Sequence, residues 1–101
     1  MYYNVLKIDD LVDNHENILD KNVLLEKGDS SLSAIALKKG EIIDNHISVC
    51  NACAYVFDGE AEFHFAAEKF KLKKGELIMF EKEKEHKVLA LKDTKFLLIK
   101  I

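Results

Sequence analysis

The sequence predicts an all-β fold, a small sandwich or barrel, on three observations. The chain has 101 residues, enough for one domain with one core. It has no proline and only four glycines, Gly28, Gly40, Gly59 and Gly75, spaced by twelve, nineteen and sixteen residues. With so few chain breakers, each glycine marks a turn. Between these turns lie short runs in which apolar and polar residues alternate, the period of a half-buried strand.

The first third carries a different rhythm. Ile8, Leu11, Val12, His15, Ile18 and Leu19 follow helical spacing, and Asp9 or Asp10 suits a helix cap, so at least one helical turn is expected near residues 9–13. Val23–Glu26 reads as a strand ending at the Gly28-Asp29 turn. Ser31–Leu37 reads as a second, with Leu32, Ala34 and Ala36 on one face and Ile35 and Leu37 on the other. Ile42 and Ile43 follow the turn at Lys39-Gly40. Val49–Phe57 is rich in small, β-branched and aromatic residues and stops at Asp58-Gly59, a hairpin signal. Glu60–Phe65 alternates, with Ala61, Phe63 and Phe65 opposed to Glu60, Glu62 and His64. Lys69–Leu72 and Leu77–Phe80 are short strands on either side of Gly75. Glu81–Glu85 is a charged loop, and His86–Leu91 with Lys95–Ile101 forms the last hairpin. The total is roughly eight to ten strands, counted from the turn signals.

Composition narrows the function. The chain is 49% hydrophobic and 33% charged, which suits a globular domain rather than a disordered one. Its net charge is −3, with fifteen lysines, no arginine and eighteen acidic residues. That balance argues against nucleic acid as a partner, and the missing guanidinium removes the usual bidentate fork for phosphate and base edges. No phosphate-cradling glycine loop and no βαβ alternation occur. The longest apolar run, Ala52–Phe57, is far short of a membrane span, and Lys7, Asp9 and Asp10 interrupt any early apolar stretch. The expectation is a cytoplasmic chain with no membrane partner. Two cysteines, Cys50 and Cys53, are too few and too close for a disulfide framework.

One spacing carries more information. Gly40 is followed after five residues by His46, and Gly59 stands thirteen beyond that histidine. Gly75 is followed by His86 at an offset of eleven. A given histidine meets both glycine offsets of the first pattern by chance about once in six hundred. The region from Gly40 to Ile101 thus resembles the cupin superfamily, whose motifs are G-x5-H-x-H-x3,4-E-x6-G and G-x5-P-x-G-x2-H-x3-N. The resemblance implies a single domain over residues 1–101: a small jelly-roll barrel of two antiparallel sheets, with a short N-terminal helical turn. It also implies a homodimer.

The departures are as clear as the matches. Ser48 stands at the second histidine, and Ala52 (or Cys53) at the glutamate. Glu81 and Glu83 stand where Pro and Gly are expected, and Ala90 where Asn is. Of the three histidines and one glutamate that hold the metal in metal-bearing cupins, only His46 and His86 survive. They remain candidate ligands for one divalent ion, Zn, Fe, Ni or Cu, with Cys50 as a less favoured third. The competing reading is a hydrogen-bonded histidine pair without metal.

Strand alternation adds an expectation of its own. If His46 points inward, so do Ser48, Cys50, Ala52, Ala54 and Val56. On the last hairpin His86 and Val88 share that face. Small side chains leave volume, so His46, Ser48, Cys50, Ala52, Ala54, His86 and Val88 are the expected ligand pocket. The Cys50-x-x-Cys53 spacing places its sulfurs on opposite faces of a strand, which favours packing over redox work. His64, beside Glu60 and Glu62, reads as a surface residue. Tyr55, Phe57, Leu89 and Leu91 face away from the pocket, either under the N-terminal segment or in a dimer interface.

Function then divides three ways. A binding module for a small molecule, with weak or no metal, is favoured because two ligand positions are lost. An enzyme using His46 and His86 as ligands or general base is the alternative, and fold alone selects no reaction. A sensory role acting in trans is the third.

Overall fold

The computed structural model of the chain describes residues 3–14 and 19–101. His15 and Ile18 of the helical-spacing reading lie outside the described residues. Among the described residues, the helical expectation reduces to one 3-10 turn over Ile8–Asp10, which presents Asp9 and Asp10 in its first turn but has no side-chain cap.

Nine strands follow among the described residues: β1 (Asp20–Lys27), β2 (Ser30–Leu37), β3 (Ile42–His46), β4 (Ala52–Asp58), β5 (Glu60–His64), β6 (Lys69–Lys73), β7 (Leu77–Phe80), β8 (His86–Ala90) and β9 (Thr94–Lys100). They form two antiparallel sheets, one in the order β1-β2-β9-β4-β7 and the other β3-β8-β5-β6. The all-β, two-sheet jelly-roll expectation holds. The strand expected over Val49–Phe57 begins only at Ala52, because Ser48–Cys50 turns the chain: the Ser48 hydroxyl accepts the Cys50 N–H at 3.1 Å.

Alternation packs the core as written in the sequence. Ile35 and Leu37 of β2, Ala54 and Val56 of β4, Ala61 and Phe63 of β5, Val88 and Ala90 of β8 and Phe96 of β9 meet between the sheets. Phe63 and Phe96 cross edge to face with centroids 5.8 Å apart. These two rings fill the space that the facing alanines leave. Removing either is expected to cost about 3–5 kcal/mol.

A second cluster sits on the outer side of the five-stranded sheet. Val12 and Leu11 cover Ala34, Ala36, Phe57, Tyr55 and Leu97. Tyr55 and Phe57 are therefore packed by the chain's own N-terminal segment. Further along the same face, pairing registers align Leu25, Leu32, Ile99, Cys53 and Met79 in one row across all five strands. Among the described residues, no segment covers the two ends of this row: Leu25 is 70% exposed and Met79 75%.

Gly59 joins β4 to β5 at φ 81°. A Cβ there would collide with the Asp93 carbonyl and stand 2.8 Å from the Thr94 Cα. Only glycine lets the two hairpin turns touch. Thr94, fully buried, ties them together: its single hydroxyl proton lies within reach of the Lys92 and Glu60 carbonyls, and its oxygen accepts the Glu60 N–H.

Candidate functional site

The two histidines meet through an irregularity in β3. Ile43 pairs with Val88 and His46 with His86, so Asp44 and Asn45 together stand opposite the single residue Lys87. Ile43 packs against the core. Regular alternation from Ile43 would aim Asn45 inward and His46 outward. The bulge adds the residue that brings the His46 ring against His86.

The rings lie edge to face with centroids 4.1 Å apart. Each ring's Nδ1 approaches a backbone carbonyl two residues back, Asp44 at 3.3 Å for His46 and Lys84 at 2.9 Å for His86. A carbonyl only accepts, so each Nδ1 carries the proton and each neutral ring presents the Nε2 lone pair elsewhere. His86 is 4% exposed. Burial holds its pKa below the ordinary 6.5; the Lys84 carbonyl opposes this, while the nearby His46 and the Lys100 ammonium add to it. Phe80 and Phe65 wall the ring on its other side, at 4.6 and 5.7 Å between centroids.

Lys100 comes from the centre of the five-stranded sheet. Its register row is Ser31, Lys100, Ala52 and Phe80. Phe80 of that row touches His86, so Lys100 stands on the inner side of the sheet, partly buried.

The other expected pocket residues separate. Ala54 and Val88 are fully packed in the core with Phe63 and Phe96. The Cys50 thiol donates to the Asp29 carbonyl at 3.2 Å, which directs the sulfur to the β1–β2 turn rather than toward the imidazoles. Cys53 lies in the outer row, so the two sulfurs diverge as expected, and both thiols are free.

An open cleft of about 1420 Å³ lies at the end of the barrel, where the free edge of β7 faces the β5–β6 connection. Of the seven expected lining residues, Ala52 alone is among those that line it. Its apolar wall is Phe65, Phe70, Ile78 and Phe80, and its rim carries Asn45, Asn51, Lys84, Lys87 and the glutamates of the 81–85 loop. Met79 also lines it, though Met79 faces away from the core, so the cleft runs round the β7 edge. The core aromatics fill the middle of the barrel, and the described space opens at the mouth.

His64 is another difference. It is half-buried and lines the cleft, with its Nε2 3.0 Å from the Glu62 carboxylate. Alternation placed it correctly on the outer face, but did not show that the cleft reaches round to that face. Nothing in the motif spacing pointed to Lys100, Phe65 or Phe80, since their relation to His86 depends on strand order.

The residues present do not fit the metal centre that the resemblance implies. Two Nε2 lone pairs are available, but among the described residues no group of three or more His, Cys, Asp or Glu side chains converges on one point. A lysine ammonium acts on the same ring. A cation would lose water there for two ligands and gain a like-charged neighbour.

Comparison with known proteins accords with this architecture. Solved structures share the fold. A conserved protein of unknown function from Streptococcus pyogenes is 22% identical with a TM-score of 0.91, over 100% of this chain and 89% of its own. A cupin superfamily protein from Desulfitobacterium hafniense DCB-2 is 20% identical, also at 0.91, over 100% and 93%. KdgF from a Halomonas species is 17% identical at 0.77, over 94% and 91%. No curated protein matches the chain. Residues 34–101 match the family described as Cupin domain, and with Gly40, Gly59 and Gly75 of the motifs and the two-sheet barrel in place, the chain belongs to that family.

Proposed function

We propose that this protein binds a small organic molecule in the cleft at the barrel mouth and needs no resident metal to do so. The observation that carries the reading is the cleft itself, with an aromatic wall of Phe65, Phe70 and Phe80 below a rim of amides, lysines and glutamates. Concave apolar surface with a few polar groups at its edge is the usual form of a small-molecule site. The ligand it suits has a flat apolar body and a polar end. A cytoplasmic setting agrees with two free thiols. No helix among the described residues is long and apolar enough to cross a membrane.

A panel of small aromatic and aliphatic acids, amides and amines, followed by ligand-observed NMR, tests the proposal. Ala67 lines the cleft and is exposed, so Ala67→Trp fills the space without entering the core. Binding to the wild type that disappears in Ala67→Trp, with the melting temperature unchanged, is the expected result. No binder in the panel, or binders indifferent to the substitution, would overturn it.

The same cleft supports a homodimer. Its outer wall is shared with the apolar row, since Cys53, Met79 and Ile99 belong to both. Five strands about 4.8 Å apart and two residue rows about 7 Å apart make a face on the order of 350 Å². The N-terminal segment, whose Leu11 and Val12 pack on this side of the sheet, also carries the exposed Tyr3, Val5 and Leu6, at 87%, 100% and 61%. Together they approach the roughly 800 Å² per partner of a stable interface. A second copy related by a two-fold axis is the occupant this self-contained apolar face fits.

A further inference from the structure

We infer that the polar end of the ligand in the cleft is a carboxylate, held by Lys69 and Lys87 on either side of His64; the inference rests on the cleft reading above and names the ligand class that reading leaves open.

Register brings these residues together. In the four-stranded sheet, His64 of β5 pairs with Lys87 of β8 on one side and with Lys69 of β6 on the other. Asn45, in the bulge of β3, stands opposite Lys87. One row across all four strands therefore runs Asn45, Lys87, His64, Lys69, and all four residues line the cleft. Neighbouring strands lie about 4.8 Å apart, which sets the two lysine backbones about 10 Å apart with the imidazole between them. Flexible four-carbon stems on both sides let two ammoniums close on one anion over the ring.

The charges on this face do not cancel. The Glu60 carboxylate lies 3.9 Å from the Lys71 ammonium, and the Glu62 carboxylate takes His64 Nε2 at 3.0 Å. A carboxylate only accepts, so Nε2 carries a proton and the ring is fixed in place. The Asp44 carboxylate, in the bulge, accepts the Asn45 N–H. Among the described residues, no carboxylate pairs with Lys69 or Lys87. Lys69 alone has an ordinary explanation, since a lysine on an edge strand deters pairing with other chains. Lys87 has none of that kind: β8 lies between β3 and β5, and the residue is half-buried. Like charges gathered on one sheet face repel, and an anion between them removes the repulsion.

The acidic rim sets how much negative charge the ligand carries. Glu68, Glu81, Glu83 and Glu85 also line the cleft, but all four are exposed loop residues whose charges water screens. They leave the sheet row as the place for an anion and oppose a second negative charge on it. A singly charged carboxylate meets both conditions, and a phosphate dianion does not.

The test is a protein-observed NMR titration at pH 7.5 with matched sets of acid, amide and amine: benzoate, benzamide and benzylamine, then hexanoate, hexanamide and hexylamine. The acid should bind about tenfold or more tightly than its amide. Lys87→Met and Lys69→Met should each shrink that preference, and Lys87→Arg should keep it. Lys21→Met removes the same charge from β1, at the edge of the other sheet away from the cleft, and should leave the preference intact. Melting temperatures check that the variants fold; Lys69 is exposed, so Lys69→Met carries the test if Lys87→Met does not fold. Amides or amines that bind as tightly as the acids, or an acid preference unchanged in the Lys→Met variants, would overturn the inference and leave the cleft reading standing. No binding by any compound of either set would overturn both.

Discussion

Gly59 and Glu83 show what single backbone positions demand. At Gly59 the φ of 81° and the approach of the Asp93–Thr94 backbone act together. Gly59→Ala is expected to cost about 3 kcal/mol or more, because the neighbour that must move is main chain and not a flexible side chain. Urea denaturation reads this directly. Glu83 presents the converse. It occupies the glycine position of the second motif and keeps a glycine-like φ of 66°, held by its N–H donating to the Ser48 carbonyl at 2.8 Å. A non-glycine residue pays about 1 kcal/mol there, so Glu83→Gly should raise stability by up to that amount in the same assay. The motif's conformation was legible in the spacing even though its residue was not. Glycines could be read because their requirement is local. Lys100 could not, because its role depends on which strand lies beside it.

At the scale of strands, the bulge in β3 decides the site. Simple alternation counted from His46 gave the right facing for His86 and Val88, but counted from Ile43 it would have put His46 outside. The sequence contains no local signal for the added residue, since Asp44 and Asn45 suit a strand end and a bulge equally. The small residues of β4 suggest vacancy for a related reason: period-two patterning names a face but not the ring that packs against it, here Phe63 and Phe96. The β3–β8 pairing also sets a pH dependence. His86 has a folded-state pKa below 6.5, so on acidification the unfolded chain takes up its proton first. Stability is therefore full above about pH 6.5 and falls as pH drops from there toward the folded value. Denaturation midpoints at pH 8 and 5.5, in buffers free of carboxylate and phosphate, should show the fall, and His86→Gln should reduce the difference between them.

For the molecule as a whole, two sheets and their core were readable from turn spacing and alternation, while the partner surface was not, because the row from Leu25 to Met79 draws one residue from each of five strands. Sedimentation equilibrium of the wild type is expected to give twice the chain mass, and Leu25→Glu to give a folded monomer. Cys53 lies three strands from Leu25, about 14 Å away. Its reaction with a thiol reagent should quicken in Leu25→Glu only through departure of a partner, with buried Cys50 as the slow internal control. A monomeric wild type would remove the dimer from the proposal. The strand order has a further consequence, in the time of synthesis. β9 leaves the ribosome after the other eight described strands, yet it stands third of five in its sheet, between β2 and β4. Until residue 100 has emerged, the β1–β2 hairpin and the β4–β7 strand pair are separate, each with a bare inner edge. The nascent chain must keep those edges apart from other chains, and then close the sheet in one late step around its middle strand.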